Sequence, residues 1–196
     1  MSAGMVYNLT PAVENEERYD VTTGIRRRGS IVLNVTNLVV GVYLPSFTPI
    51  CVDLAHKTAE VERNVKVVVD VSATDTVIKV AKGSLLVAGM FIGNGSKGAT
   101  IVSVDKSNTD YDAITVDATL GVKIAAGTVL FEASAEDGKT QKHIANSALY
   151  GRWKVTTGIN DITVLRTAAE IEPSKLDIPF SDNDKAAMKG WFEFNE

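Results

Sequence analysis

Along much of this chain the apolar positions recur in steps of two. Residues 59–71, AEVERNVKVVVDV, put Ala59, Val61, Val65, Val67, Val69 and Val71 on one parity. Glu60, Glu62, Asn64, Lys66 and Asp70 fall on the other, and Arg63 and Val68 are the exceptions. Strand side chains alternate between two faces, so this spacing predicts one long strand with an apolar face and a wet face. A helix would need a repeat of about 3.6 residues, and the valines would then spread around it. Shorter strand-like runs follow at 76–80, 90–92, 99–105, 113–116 and 128–131. Between them lie turn clusters, among them Lys82-Gly83-Ser84 and Lys106 to Asp110, with Gly121 and Gly127 further on. Short strands punctuated in this way predict a mainly β protein, with a small antiparallel barrel or sandwich over residues 65–135.

The flanks read differently. Residues 1–30 carry Glu14, Glu16, Glu17 and Asp20 and then Arg26-Arg27-Arg28, and are expected to be an extended N-terminal arm. Residues 31–64 form a strand-rich flank broken by Pro45 and Pro49. Residues 136–196 are expected to hold a loop, returning strands and a C-terminal tail with the aromatics Trp191, Phe192 and Phe194. Helix is scarce. Ser181 or Asp182 is placed to cap a short helix running to Lys189, with Gly190 closing it. Residues 20–64 together with 150–180 are expected to build a second β layer.

One motif suggests chemistry. Gly93-Asn94-Gly95-Ser96-Lys97-Gly98 spells the G-x-G-x-x-G of a dinucleotide-binding loop. That loop works by ending a strand and opening a helix, whose free N–H groups hold the pyrophosphate. Here Ile101, Val102 and Val104 follow, which favours a second strand. The spacing therefore predicts a hairpin, with glycine used for its backbone freedom.

Composition narrows the function classes. Apolar residues make up 45% of the chain, enough for a true core. The net charge of −4 does not favour bulk attraction to nucleic acid or to an anionic membrane. A single cysteine, Cys51, excludes an internal disulfide framework. The first twenty residues lack the pattern of a secretory signal, and no apolar run reaches membrane-helix length.

The remaining candidates are few. Asp105, Asn108, Asp110, Asp112 and Asp117 form the densest oxygen-ligand cluster but break the EF-hand spacing, so turn-forming roles are expected and no metal is assigned. Cys51 and His56 lack an orienting third group, so no catalytic residue is assigned. Arg26, Arg27 and Arg28 suit either a solvated turn or an anchor on an acidic protein surface, and nucleic acid comes third. Trp191, Phe192 and Phe194 suit core closure and docking on a neighbour equally. No cofactor is expected.

Residues 76–133 resemble a β-domain of tailed-phage virion proteins. Three stretches carry the likeness: Val80 to Ile92, with V-x-K-G and a later G-x-x-I; Val104 to Val116, V-D-x-S-N-x-x-Y-D-x-I-T-V; and Leu120 to Leu130, L-G-x-x-x-x-x-G-T-V-L. The family is that of auxiliary (decoration) capsid and head-fibre proteins, notably of crAss-like and related phages of Bacteroidales. The resemblance implies a non-enzymatic structural virion protein, made in the host cytoplasm and sited on the phage head. It implies binding to the major capsid protein, contact with head-fibre proteins, and a homo-oligomer such as a trimer. Arg26 to Arg28 and Trp191, Phe192 and Phe194 are then the expected partner contacts. A carbohydrate- or protein-binding β-module without catalytic activity is the alternative.

Overall fold

A computed structural model describes residues 18–195. The first five strands are β1 (Asp20–Arg26), β2 (Ile31–Leu33), β3 (Tyr43–Leu44), β4 (Pro49–Asp53) and β5 (Thr58–Val61). Six more follow: β6 (Val65–Lys66), β7 (Val77–Ala81), β8 (Phe91–Gly93), β9 (Gly98–Asp105), β10 (Tyr111–Val116) and β11 (Val129–Ala133). The chain then returns through β12 (Ser147–Leu149), β13 (Trp153–Lys154), β14 (Asp161–Ile162) and β15 (Val164–Ile171). Helix α1 (Asp182–Met188) and β16 (Phe192–Phe194) close it.

β6 to β11 form one antiparallel sheet in the order β6-β11-β8-β9-β10-β7. It curls into a nearly closed barrel, because Val67 bridges Val80 and the Val68 N–H donates to the Lys79 carbonyl at 3.0 Å. Alternation of inward and outward side chains is what fills it. In β10, Asp112, Ile114 and Val116 are buried while Tyr111, Ala113 and Thr115 are only partly so. Val67, Ile78, Val80, Leu86, Ile92, Ile114 and Leu130 share this interior.

The glycine-rich stretch is a hairpin. Gly93 ends β8, Gly98 opens β9, and the two are paired. The Asn94 side-chain carbonyl accepts from the Ser96 and Lys97 N–H groups, both at 2.9 Å. Gly93 and Gly98 also lie against the backbone of Gly138, where any Cβ would overlap it. Close approach of two chains is the physical need for glycine here, and no helix follows to hold a phosphate.

The flanks build the other sheet, a half-barrel in the order β1-β15-β12-β4-β5-β2-β14, with β16 added beside β15. Within the expected N-terminal arm, Asp20–Arg26 is a strand hydrogen-bonded to β15, its register broken by bulges. Residues 1–17 lie outside the described residues. Tyr19 holds the start of β1 down, its ring 4.9 Å from that of Phe47. Phe47 also meets Phe180 and Phe192 edge-on at 5.8 and 6.2 Å. α1 is capped by Ser181, one of the two caps expected from the sequence, in a reciprocal capping box with Asp184, and it ends at Met188 with Lys189 as its C-cap.

One expectation fails. Residues 59–71 are not a single strand. β5 belongs to the half-barrel and β6 to the barrel, and Glu62-Arg63-Asn64 crosses between them. All three are buried, so Glu62 and Asn64 do not lie on a wet face. Arg63 pairs with buried Glu132 at 2.6 Å, and Lys142 holds the other Glu132 oxygen at 2.7 Å. Burial pushes the Glu132 carboxyl up, but Lys142 and Arg63 outweigh it and hold it below its ordinary range. Asn64 donates to Asp184 of α1 at 2.7 Å, and Gln141 and the Ala145 N–H donate to its other oxygen at 2.9 and 2.8 Å. A covalent crossing buried between two sheets needs such a network, because unpaired polar groups are costly away from water.

Candidate partner-binding groove

The Arg26-Arg27-Arg28 run and Trp191 come from opposite ends of the chain, yet they line one groove of about 760 Å³. β15 brings them together. β1 runs antiparallel along one side of it, with Arg26 opposite Leu165. On its other side β16 runs parallel, with Phe192 opposite Ala168. Gly190, at φ +87°, turns the chain out of α1. The Trp191 carbonyl then accepts from the Ala168 N–H at 3.1 Å, which lands Trp191 beside Arg166.

Four arginines converge there: Arg26, Arg27, Arg28 and Arg166. Among the described residues none of them is in an ion pair, and no carboxylate lines the groove. Arg166 lies over the Trp191 ring at 4.8 Å and Arg26 over Tyr150 at 5.0 Å. Arg27 donates to the Ser147 hydroxyl at 3.0 Å and to the Asn146 carbonyl at 3.4 Å. Partial burial, and then the nearby charge of Arg166, lower the Arg27 guanidinium from its ordinary value. Ile25, Leu54 and Trp191 rim the groove and are 58%, 58% and 52% exposed.

The six residues singled out from the sequence therefore separate. Arg26, Arg27, Arg28 and Trp191 share the groove. Phe192 is buried in the core around Phe47, and Phe194 packs on Phe180 with ring centroids 5.1 Å apart. Arg166 and Leu54 were missed. Single residues of these types in a β-rich chain carry no signal until pairing places them.

The other candidates are turned inward on the fold itself. Asp105, Asn108 and Asp117 accept backbone N–H groups of Ser107, Asp110 and Thr100. Asp112 is fully buried, accepts from the Gly83 and Ser84 N–H groups, and pairs with Lys82 at 2.9 Å. His56 meets Asp53 at 2.6 Å instead of Cys51. Burial, and then the charge of Glu62, push the Cys51 thiol up, away from the thiolate a nucleophile needs.

A second, larger depression of about 950 Å³ is lined by Tyr43, Tyr150, Arg152, Lys82 and Lys106 among others. Arg152 covers the Tyr43 ring at 3.9 Å and Arg26 covers Tyr150. Guanidinium groups thus occupy ring faces that a sugar would stack on. Among the described residues, no helix is long and apolar enough to cross a membrane.

Compared with known proteins, residues 1–193 match the family model for phage head fibres, described as "Head fiber protein". No curated protein and no solved structure matches the chain.

Proposed function

The chain belongs to the phage head fibre family and is a structural component of the virion, and on that premise we propose that it binds the outer surface of the phage capsid. There it decorates or stabilises the head, or forms the attachment base of a head fibre. The major capsid protein is the partner, and the working form is a homo-oligomer, with a trimer fitting the three-fold positions of a head lattice. The resemblance of residues 76–133 supports a place among crAss-like and related phages of Bacteroidales.

One observation carries this reading: the groove that gathers Arg26, Arg27, Arg28 and Trp191 on the half-barrel. Exposed arginines around a tryptophan are the residue types that dominate protein–protein contacts. The barrel lies on the other side of the buried crossing and is free to project. Its core residues are apolar and its acidic turns are spent on its own backbone, so it offers structure and not catalysis.

The test is quantitative mass spectrometry of density-purified particles, scaled to the major capsid protein. A fixed high ratio means lattice decoration, and a low ratio at a few symmetry sites means a fibre base. Absence from particles sinks the capsid reading. In parallel, a variant with Arg26, Arg28 and Trp191 all changed to Ala is expected to fold but to be missing from particles. Undiminished incorporation of that variant would move the attachment site elsewhere.

A further inference from the structure

We propose that the four-arginine groove is a carboxylate clamp, which takes a polypeptide segment bearing at least two acidic side chains beside an apolar one. This deepens the reading of the groove as the attachment site and rests on it for its biological partner. The binding chemistry stands on the groove alone.

The cations are all arginine, and their faces are already occupied. A guanidinium stacked on an aromatic ring keeps its N–H edge free, and that edge is planar and forked to match a carboxylate. Arg166 on Trp191 and Arg26 on Tyr150 are held in this way. Arg27 is fixed by Ser147 and Asn146. Arg28 has no partner among the described residues and is exposed. So three of the four donors are oriented before any ligand arrives, and less entropy is lost when one binds.

The site also carries an unmet demand. Like charges gathered with no counter-ion among the described residues repel, and after partial burial the charge of Arg166 helps to lower the Arg27 guanidinium, with which it shares the groove. An anion bridging the two guanidinium groups would relieve the repulsion. Structures that hold such clusters open are often built for a ligand.

Three features favour an acidic polypeptide over nucleic acid. The four arginines gather in one groove of about 760 Å³, a footprint of a few charges, whereas a nucleic acid offers a long run of phosphates. The net charge of −4 opposes a long polyanion elsewhere on the surface. The exposed rim of Ile25, Leu54 and Trp191 offers apolar contact that a sugar–phosphate backbone does not use but a leucine or valine does.

The experiment uses the full chain with Trp153→Phe, which leaves Trp191 as the sole tryptophan reporter. The probe is a capped Glu-Glu-Leu-Glu-Glu-Leu peptide, titrated by fluorescence at two salt concentrations. Hexathymidylate and inorganic tripolyphosphate are the competing anions. Saturable, salt-weakened binding of the peptide, tighter than either competitor, is expected. Arg28→Gln, which breaks no contact among the described residues, should weaken it about tenfold, the loss of one charge-assisted pair. Arg27→Lys keeps the charge and loses the fork, and should also weaken it severalfold. Tighter binding of hexathymidylate would make this a nucleic-acid site and overturn the proposal. So would peptide binding that is absent, or that is unchanged in both variants. Particle incorporation is scored separately. A peptide that binds while Arg28→Gln still enters particles normally upholds the clamp and removes it from capsid attachment. A peptide that fails while the triple variant is lost from particles does the reverse.

Discussion

The barrel and the half-barrel solve the same problem, closing a β-sheet around apolar side chains, in opposite ways. In the barrel the strands come from one continuous stretch, β6 to β11, and every strand pair is antiparallel. In the half-barrel β1 pairs with β15 and β4 with β12, so partners come from both ends of the chain, and two pairs are parallel. The barrel buries a mainly apolar set, whereas the half-barrel meets it through a buried polar crossing and carries the arginine groove on its outer face. A closed local barrel leaves few places to build a binding site. A sheet assembled from distant segments has seams, and residues from separate parts of the sequence meet there.

The largest test of this contrast is at the crossing. Arg63→Ala leaves Glu132 buried with only Lys142 as counter-charge. Loss of one partner of a buried pair costs about 3–5 kcal/mol. Because Arg63 joins the two sheets, both should lose stability together in a denaturant series followed by probes in each lobe. A loss confined to one lobe would show that the crossing does not couple them. Next comes Gly98→Ala, whose Cβ would overlap the Gly138 backbone. Overpacking of this kind costs about 1–3 kcal/mol. It should loosen the barrel hairpin, seen as faster amide exchange in β8 and β9, and leave exchange in β15 unchanged.

How far the fold could be read from the sequence follows the same division. Val77–Ala81 and Tyr111–Val116 alternate because each has one face in the barrel, and their β-branched residues between turn clusters marked them as strands, although their pairing with each other skips β8 and β9. The glycine stretch was legible as a hairpin because strand-forming residues stand on both sides of it. At Glu62 and Asn64 the same rule misled. Polarity marks a need for hydrogen bonds, and here Gln141 meets one Glu62 oxygen and Asp184 the Asn64 amide N–H from far along the chain. For the groove, the arginine run and Trp191 were visible as unusual clusters. Their meeting depends on β15 lying between β1 and β16, a long-range pairing that no local pattern encodes.

Protonation at the crossing gives a finer test. Burial, and then the charge of Asp184, raise the Glu62 carboxyl from its ordinary value of 4.5 to about 8. Between those values the folded protein keeps a proton on Glu62 that the unfolded chain releases. The stability that this proton secures is complete below the unfolded value and is lost as pH rises through about 8. The slope is at most about 1.4 kcal/mol per pH unit. Glu62→Gln keeps the shape without the titration, so it should flatten the fall in stability between about pH 5 and about pH 8 and leave the variant the more stable protein, relative to wild type, at the alkaline end. A wild-type stability that is flat over that range would show that the crossing admits enough water to ionise Glu62 freely.

The smallest expected effect separates binding surface from scaffold most cleanly. Trp191 is half exposed, and its ring stacks with Arg166. An exposed cation–π contact is worth about 0.5–1 kcal/mol, so Trp191→Ala should shift a denaturation midpoint only slightly. Phe192, one residue on, is 4% exposed and wedged against Phe47. Phe192→Ala should cost about 3–5 kcal/mol, as for any large aromatic removed from a core. If both variants cost the same, Trp191 is a structural residue and the groove loses its aromatic rim as a docking feature. If the costs divide as stated, two adjacent aromatics serve different ends, because Trp191 stands just before β16 and half exposed, while Phe192 opens β16 beside β15 and is buried in the core.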